Sequence, residues 1–148
     1  MIEDDSLKNI QDPEDPIYAE LLKIYSPEAI ERWIDPDNFG PIEDADAHAC
    51  LDGRCGDRME IYLKFDNERV IKSHYMTDGC ASSNICGSFA AAMALGKGPD
   101  EIIEITGEAV MERAGGLPEA DRHCAFLAAE TLQAALDVFM KNQRSKKG

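Results

Sequence analysis

Basic residues are scarce in this chain. Lys and Arg number 15 against 29 Asp and Glu, a formal charge of −14. Basic character gathers only at the very end, in Lys141, Arg144, Lys146 and Lys147. Nucleic acid and anionic membrane surfaces are therefore excluded as expected partners, because both need a basic face. Acidic substrates fit no better. Long apolar runs are missing too: nothing approaches the ~18 residues of a membrane span. The opening Met1-Ile2-Glu3-Asp4-Asp5 has no positive start and no following apolar stretch of ~7–15 residues. The expectation is a cytoplasmic protein with no membrane partner. Five cysteines, Cys50, Cys55, Cys80, Cys86 and Cys124, make an odd count that argues against a secreted disulfide framework. No C-x2-C or H-x3-H clip occurs, so no zinc-finger spacing and no thioredoxin-like motif is present. The H-x-E…P-C-x-x-C deaminase signature is absent as well.

What remains is enough for one domain. The 148 residues contain 44% apolar and 30% charged side chains, a globular composition. A chain of this size buries roughly 68–70% of its unfolded surface and needs no disulfides to hold a core. The charge is lopsided. Residues 1–57 carry 16 acids and 4 bases, net −12; residues 58–148 carry 13 and 11, net −2. We read the acidic front as a solvated face, with a partner-facing surface as the alternative.

Residues 1–15 read as a flexible acidic tail, 16–143 as the folded domain and 144–148 as a basic tail. Ile17, Leu21, Ile24 and Tyr25 fall on one face of a helix over 17–25. Ser26-Pro27-Glu28 supplies the start of a second helix that runs through Trp33 and stops before Asp35-Pro36. Residues 35–57 read as loop, with a short strand around Ala47–Leu51. Met59, Ile61, Leu63 and Phe65 alternate with polar residues, and Val70–Met76 returns after an Asp66-Asn67-Glu68 turn. That is an antiparallel hairpin with one wet face. Helices are expected from Ser82 to Leu95, over Pro99–Ile105 and Glu108–Ala114, and from about Asp121 to Asn142. The last one has an apolar face of Cys124, Leu127, Ala128, Thr131, Ala134, Ala135 and Val138. The fold class is α+β: a small antiparallel sheet of about three strands, helices packed on one face, and a long C-terminal helix.

Three cysteines sit at element ends rather than in mid-core. Cys55 lies in the turn Gly53-Arg54-Cys55-Gly56-Asp57, Cys80 between the hairpin and a helix, and Cys124 in the first turn of the long helix. Helix N-termini favour anions, which predicts lowered thiol pKa values for Cys80 and Cys124. Thiolates bind soft metals. The sheet-to-helix order can bring the three ends to one tip, with Asp57 and His123 as candidate fourth ligands. Turn cysteines with purely structural roles remain the alternative.

The words around these cysteines resemble the IscU/NifU-type iron–sulfur cluster scaffold family. They are Cys55-Gly56-Asp57, Gly79-Cys80-Ala81-x-Ser83 and Leu117-Pro118-x4-His123-Cys124, in the family's order. Tyr25-Ser26…Pro36-x-Asn38-Phe39-Gly40 looks like its opening helix and loop, and Ala125–Ala134 like its last helix. The resemblance implies that 16–143 is an iron–sulfur scaffold domain, not an enzyme. It implies cluster cysteines Cys55, Cys80 and Cys124, with Asp57 and His123 as the family's acid and histidine. It implies a transient iron–sulfur cluster, 2Fe–2S or 4Fe–4S, built with sulfur from a cysteine desulfurase and passed to apo iron–sulfur proteins. Sulfur is expected to arrive as a persulfide on Cys124 or Cys55. Three thiolates and one harder ligand leave a weaker corner than the four cysteines of a permanent cluster. A tetrahedral zinc could use the same residues, which keeps a zinc-bearing sulfur acceptor as the alternative. The short Cys80–Cys124 separation favours the IscU or NifU branch over the zinc-bearing SufU-like one.

Three departures stand out. The family's Leu-Pro-Pro-Val-Lys word, read by a specialised ATPase chaperone, is Leu117-Pro118-Glu119-Ala120-Asp121 here, which argues against that interaction. Cys86 lies nearly two helical turns beyond Cys80 and is expected as a buried small thiol. Cys50 is expected in packing or in a loop. His48 and His74 are read as structural or solvated, and Trp33 as an anchor for the N-terminal helices.

Overall fold

Alternation builds the sheet, and the sheet sets where everything else can pack. The computed structural model describes residues 16–53 and 56–147, with side chains described through 144. The expected tail at 1–15, and Arg54 and Cys55, lie outside the described residues. The strands are β1 (Ala47–Asp52), β2 (Arg58–Asp66) and β3 (Arg69–Thr77), paired antiparallel in the order β1-β2-β3. The strand foreseen at 47–51 is thus a full member of the sheet, with Ala47 opposite Leu63 and Asp52 opposite Arg58. The β2–β3 turn is Asn67-Glu68, both with positive φ (52° and 62°). Two such residues make the tight hairpin turn that matches strand twist. A bulge between Lys64 and Phe65 sets Ile71 aside, with its side chain exposed.

Met59, Ile61 and Leu63 of β2 and Val70 and Tyr75 of β3 point inward and are buried. Two helices cover that face. They are α3 (Ala81–Ala94), lying on β3, and α6 (Arg122–Lys147), lying on β1 and β2. The opposite face stays open. There His48 pairs with Glu60 at 2.9 Å and stacks on Tyr62 with ring centroids 4.3 Å apart. His74 stands across from Tyr62 on the same face. Both histidines and the exposed Cys50 therefore sit away from the helices.

The smaller helices are α1 (Pro16–Leu22), α2 (Pro27–Ile34), α4 (Pro99–Ile102) and α5 (Gly107–Arg113), with a 3-10 turn at Glu119–Asp121. Two of these, α1 and α4, and the long helix α6 differ from expectation. The first helix stops at Leu22 rather than Tyr25, and none of its residues is buried. Ile24 is left exposed, so the predicted apolar face covers little. Helix α4 ends at Ile102, because Thr106 must be extended (φ −100°, ψ 170°) to cap α5 through Ala109 N–H. The last helix continues to Lys147, into the residues read as a basic tail. Ser26 caps α2 as expected, accepting from Ala29 N–H at 3.1 Å. Trp33 packs against the core from its edge. None of the helices among the described residues is long and apolar enough to cross a membrane.

Helix α3 approaches the sheet closely because it is made of small residues. Eleven of its residues are buried, among them Ser82, Ser83, Gly87, Ala90 and Ala91. A Cβ at Gly87 would stand 2.6 Å from the Tyr75 ring and 2.9 Å from Met59 Sδ. Gly87→Ala gains about 1 kcal/mol of helix propensity. It must also displace two fully buried side chains, an overpacking cost of about 1–3 kcal/mol. We expect net destabilisation, read as a lower urea midpoint; a higher midpoint would show that the layer has slack.

Candidate metal centre

Four chain segments meet at one end of the α3–α6 layer. The first ends at Asp57, just before β2. Gly53 N–H donates to the Asp57 carbonyl at 2.7 Å, and Gly56 takes a positive φ of 82°. The chain thus folds back and delivers Asp57 toward the helices. The second segment runs from Thr77 to Cys80 and is tied to the start of β2 by two bonds. Thr77 Oγ1 donates to the Arg58 carbonyl at 2.6 Å, and Arg58 N–H donates to Asp78 Oδ1 at 2.9 Å. The third is the first turn of α3, capped by Cys80. The fourth is the start of α6, carrying His123 and Cys124.

Ligand-capable atoms of Asp57, His123 and Cys124 lie within 4.8 Å of one another. Cys124 Sγ is 3.7 Å from His123 Nε2. Ser83 joins them from inside. Its hydroxyl donates to Asp57 Oδ2 at 2.5 Å and lies 3.5 Å from Cys124 Sγ and 3.8 Å from Cys80 Sγ. Cys80 is exposed, so the cluster has an open side. Gly79 makes the crowding possible. A Cβ there would sit 2.6 Å from Ser83 Oγ and 2.7 Å from Asp57 Oδ2. A groove of about 420 Å³, lined in part by Gly53, Phe126 and Glu130, opens beside His123.

A second layer of hydrogen bonds holds the rim. Asn84 donates to the Cys80 carbonyl at 3.1 Å, and Tyr75 OH donates to Asn84 Oδ1 at 3.3 Å. Ser82 Oγ donates to Asp121 Oδ2 at 2.9 Å and lies 2.9 Å from Tyr25 OH. This chain fastens the segment before α6 to the segment before α2.

Two expectations need correction. Cys124 is not an exposed helix-end thiol: its exposure is 0%. Its pKa is raised, not lowered, to about 12. Burial is the main cause, and Cys80, Asp121 and Asp57 add negative charge that pushes it further up. The helix N-terminus is outweighed because the thiolate would stand dry among anions. Cys86 is buried as expected, its thiol also pushed well up by burial. Cys55 lies outside the described residues, so its place relative to Cys80 and Cys124 is not described. Ser83 carries more of the site than its sequence position suggests. It is three residues after Cys80 on a helix, the spacing that puts two side chains on one face.

Against known proteins, residues 24–146 match the model of the NifU-like N-terminal domain. The chain belongs to that family. It is 40% identical over 126 residues to the iron–sulfur cluster assembly scaffold protein IscU 1 of Archaeoglobus fulgidus, covering 84% of this chain and 82% of that protein. It is 32% identical over 124 residues to the scaffold protein IscU of Aquifex aeolicus, covering 81% and 79%. Against the nitrogen fixation protein NifU of Trichormus azollae it is 29% identical, covering 76% of this chain but 40% of that protein. The crystal structure of an N-terminal NifU-like protein from Brucella abortus shares the fold with a TM-score of 0.62. It is 19% identical and covers 82% of this chain and 97% of that one.

A cation suits this donor set. A buried thiol, a carboxylate and an imidazole gather anionic and lone-pair donors around a small space. A metal taking Cys124 as a ligand would have to displace its proton, whose pKa is pushed up to about 12, so protons would compete with it. Raising the pH weakens that competition. Apparent Zn²⁺ affinity, measured against a competing chelator, should rise by about tenfold per pH unit between about pH 6 and pH 8 for each proton released. A flat profile would mean that Cys124 stays protonated outside the coordination sphere.

Proposed function

We propose that this chain is a scaffold, not a turnover enzyme. On it an iron–sulfur cluster is assembled from ferrous iron and sulfur supplied by a cysteine desulfurase. The cluster then passes to apo iron–sulfur proteins. The observation that carries this reading is the meeting of Asp57, His123 and Cys124, with Cys80 one hydroxyl away, on one open-sided rim. Family membership and the scaffold role named for two relatives support it.

The cluster is cargo in this scheme. Cys55, Cys80 and Cys124 supply thiolates, and Asp57 or His123 completes the site. A permanent cluster uses four cysteines. One carboxylate or imidazole corner makes release easier, and the exposure of Cys80 gives the cluster a way out. The same exposure bears on sulfur entry. Of Cys80 and Cys124, Cys80 is open to an incoming persulfide, whereas Cys124 is buried. The expectation that Cys124 receives sulfur therefore requires the rim before α6 to move first. The chaperone-recognition segment, altered at Glu119–Asp121, is folded as a 3-10 turn here and tied to Ser82 through Asp121. That tie gives a chaperone little free chain to grip.

The test is anaerobic reconstitution with ferrous iron and sulfide, followed by visible absorption. The wild type should develop sulfide-to-iron charge-transfer bands, and Cys80→Ala and Cys124→Ala should lose most of that absorbance. No bands, with one tightly held zinc per chain, would replace this reading with a zinc-bearing sulfur acceptor. No metal of either kind would remove both.

A further inference from the structure

Ser83 occupies a position where its hydroxyl is costly. It sits in the first turn of α3, fully buried, in a stretch otherwise built of small packing residues. Alanine is a better helix former at such a place, and a buried hydroxyl must find partners. Its partners are those of the proposed site. The one hydroxyl proton goes to Asp57 Oδ2 at 2.5 Å, a charge-assisted length. What faces Cys124 at 3.5 Å and Cys80 at 3.8 Å is then the oxygen's lone pairs, which can accept from the thiols. The same carboxylate oxygen is also crowded by backbone. Gly79 lies so close beneath it that an added Cβ would be 2.7 Å from Oδ2 and 2.8 Å from Cγ.

Building on the scaffold reading, we infer that Ser83 is a positioning residue. It holds one oxygen of Asp57 so that the carboxylate stays turned into the site and offers its other oxygen, singly, to a metal. Asp57 stands at the end of a turn, and Gly53–Asp57 pairing fixes its backbone but not its side chain. Without Ser83 the carboxylate is free to swing to water. The site would then lose its oxygen corner before metal arrives. Partners of this kind, hydrogen-bonded to a ligand rather than to the metal, typically change metal affinity 10–100-fold when removed.

The experiment is a double-mutant cycle on the full chain. Zn²⁺ and Co²⁺ affinities are measured by chelator competition for the wild type, Ser83→Ala, Asp57→Ala and the double variant. Far-ultraviolet circular dichroism checks that each metal-free chain is folded, and alanine suits the helix. Ser83→Ala should weaken binding by about 10–100-fold and change the Co²⁺ ligand-field bands. In the Asp57→Ala background the same substitution should add less than about a twofold loss, because its effect runs through Asp57. Equal affinities for wild type and Ser83→Ala, or equal losses in both backgrounds, would overturn the positioning role alone. A wild type that binds these metals but forms no cluster on reconstitution would overturn the scaffold reading and leave the positioning result standing. A wild type that binds neither metal would overturn both.

Discussion

The site depends on one packing constraint: α3 and α6 lie side by side on a single face of a three-stranded sheet, with their first turns level. Small residues permit this. Gly87 brings α3 down onto Tyr75 and Met59, and alanines are buried on both helices, Ala90 and Ala91 on α3 and Ala125, Ala128 and Ala129 on α6. Larger side chains would hold the helices apart, and Ser83 could no longer reach Cys124. The cysteines need no sequence clip because the layer sets their spacing. Cys80 and Cys124 are 44 positions apart in the chain, yet one hydroxyl touches both.

That packing has an electrostatic result. It places the Asp57 and Asp121 carboxylates and two thiols at one buried-to-open boundary in a chain already carrying −14. Without metal, burial and the neighbouring negative charge favour a proton on Cys124. On the scaffold reading, a bound cation would exchange for that proton without rebuilding the core. The open side at Cys80 lets the exchange occur without unfolding the layer.

Much of this was legible in the sequence, and the gaps have physical causes. The hairpin followed from strict alternation in Met59–Phe65 and from the polar turn at 66–68. The long helix followed from its apolar periodicity. That periodicity included Cys124 on the buried face, but the position of Cys124 at a helix start suggested exposure. Helix ends are exposed only when nothing covers them, and here Asp57, Gly79 and Ser83 do. The apolar stripe of the first helix was misleading for the opposite reason. Pattern alone cannot say whether a surface is available to receive it: of that stripe Ile17 and Ile24 stay exposed, while Tyr25 packs against the core. Asp57, Cys80, His123 and Cys124 could be named from their words and order. The bridging role of Ser83 could not, since a serine three residues along a helix is common and only the fold shows what it faces.

The bridge from Tyr25 through Ser82 to Asp121 spans 57 and then 39 positions of chain. Its members are among the most sequence-distant contacts around the rim. The hairpin and the α3–β3 contact are local and can form early. Contacts between distant segments come late, after loop closure has been met elsewhere. The rim should accordingly close last as the chain folds. During synthesis Cys80 leaves the ribosome before Cys124, which lies 44 positions further along the chain, so the last thiol of the rim is also the last to be made.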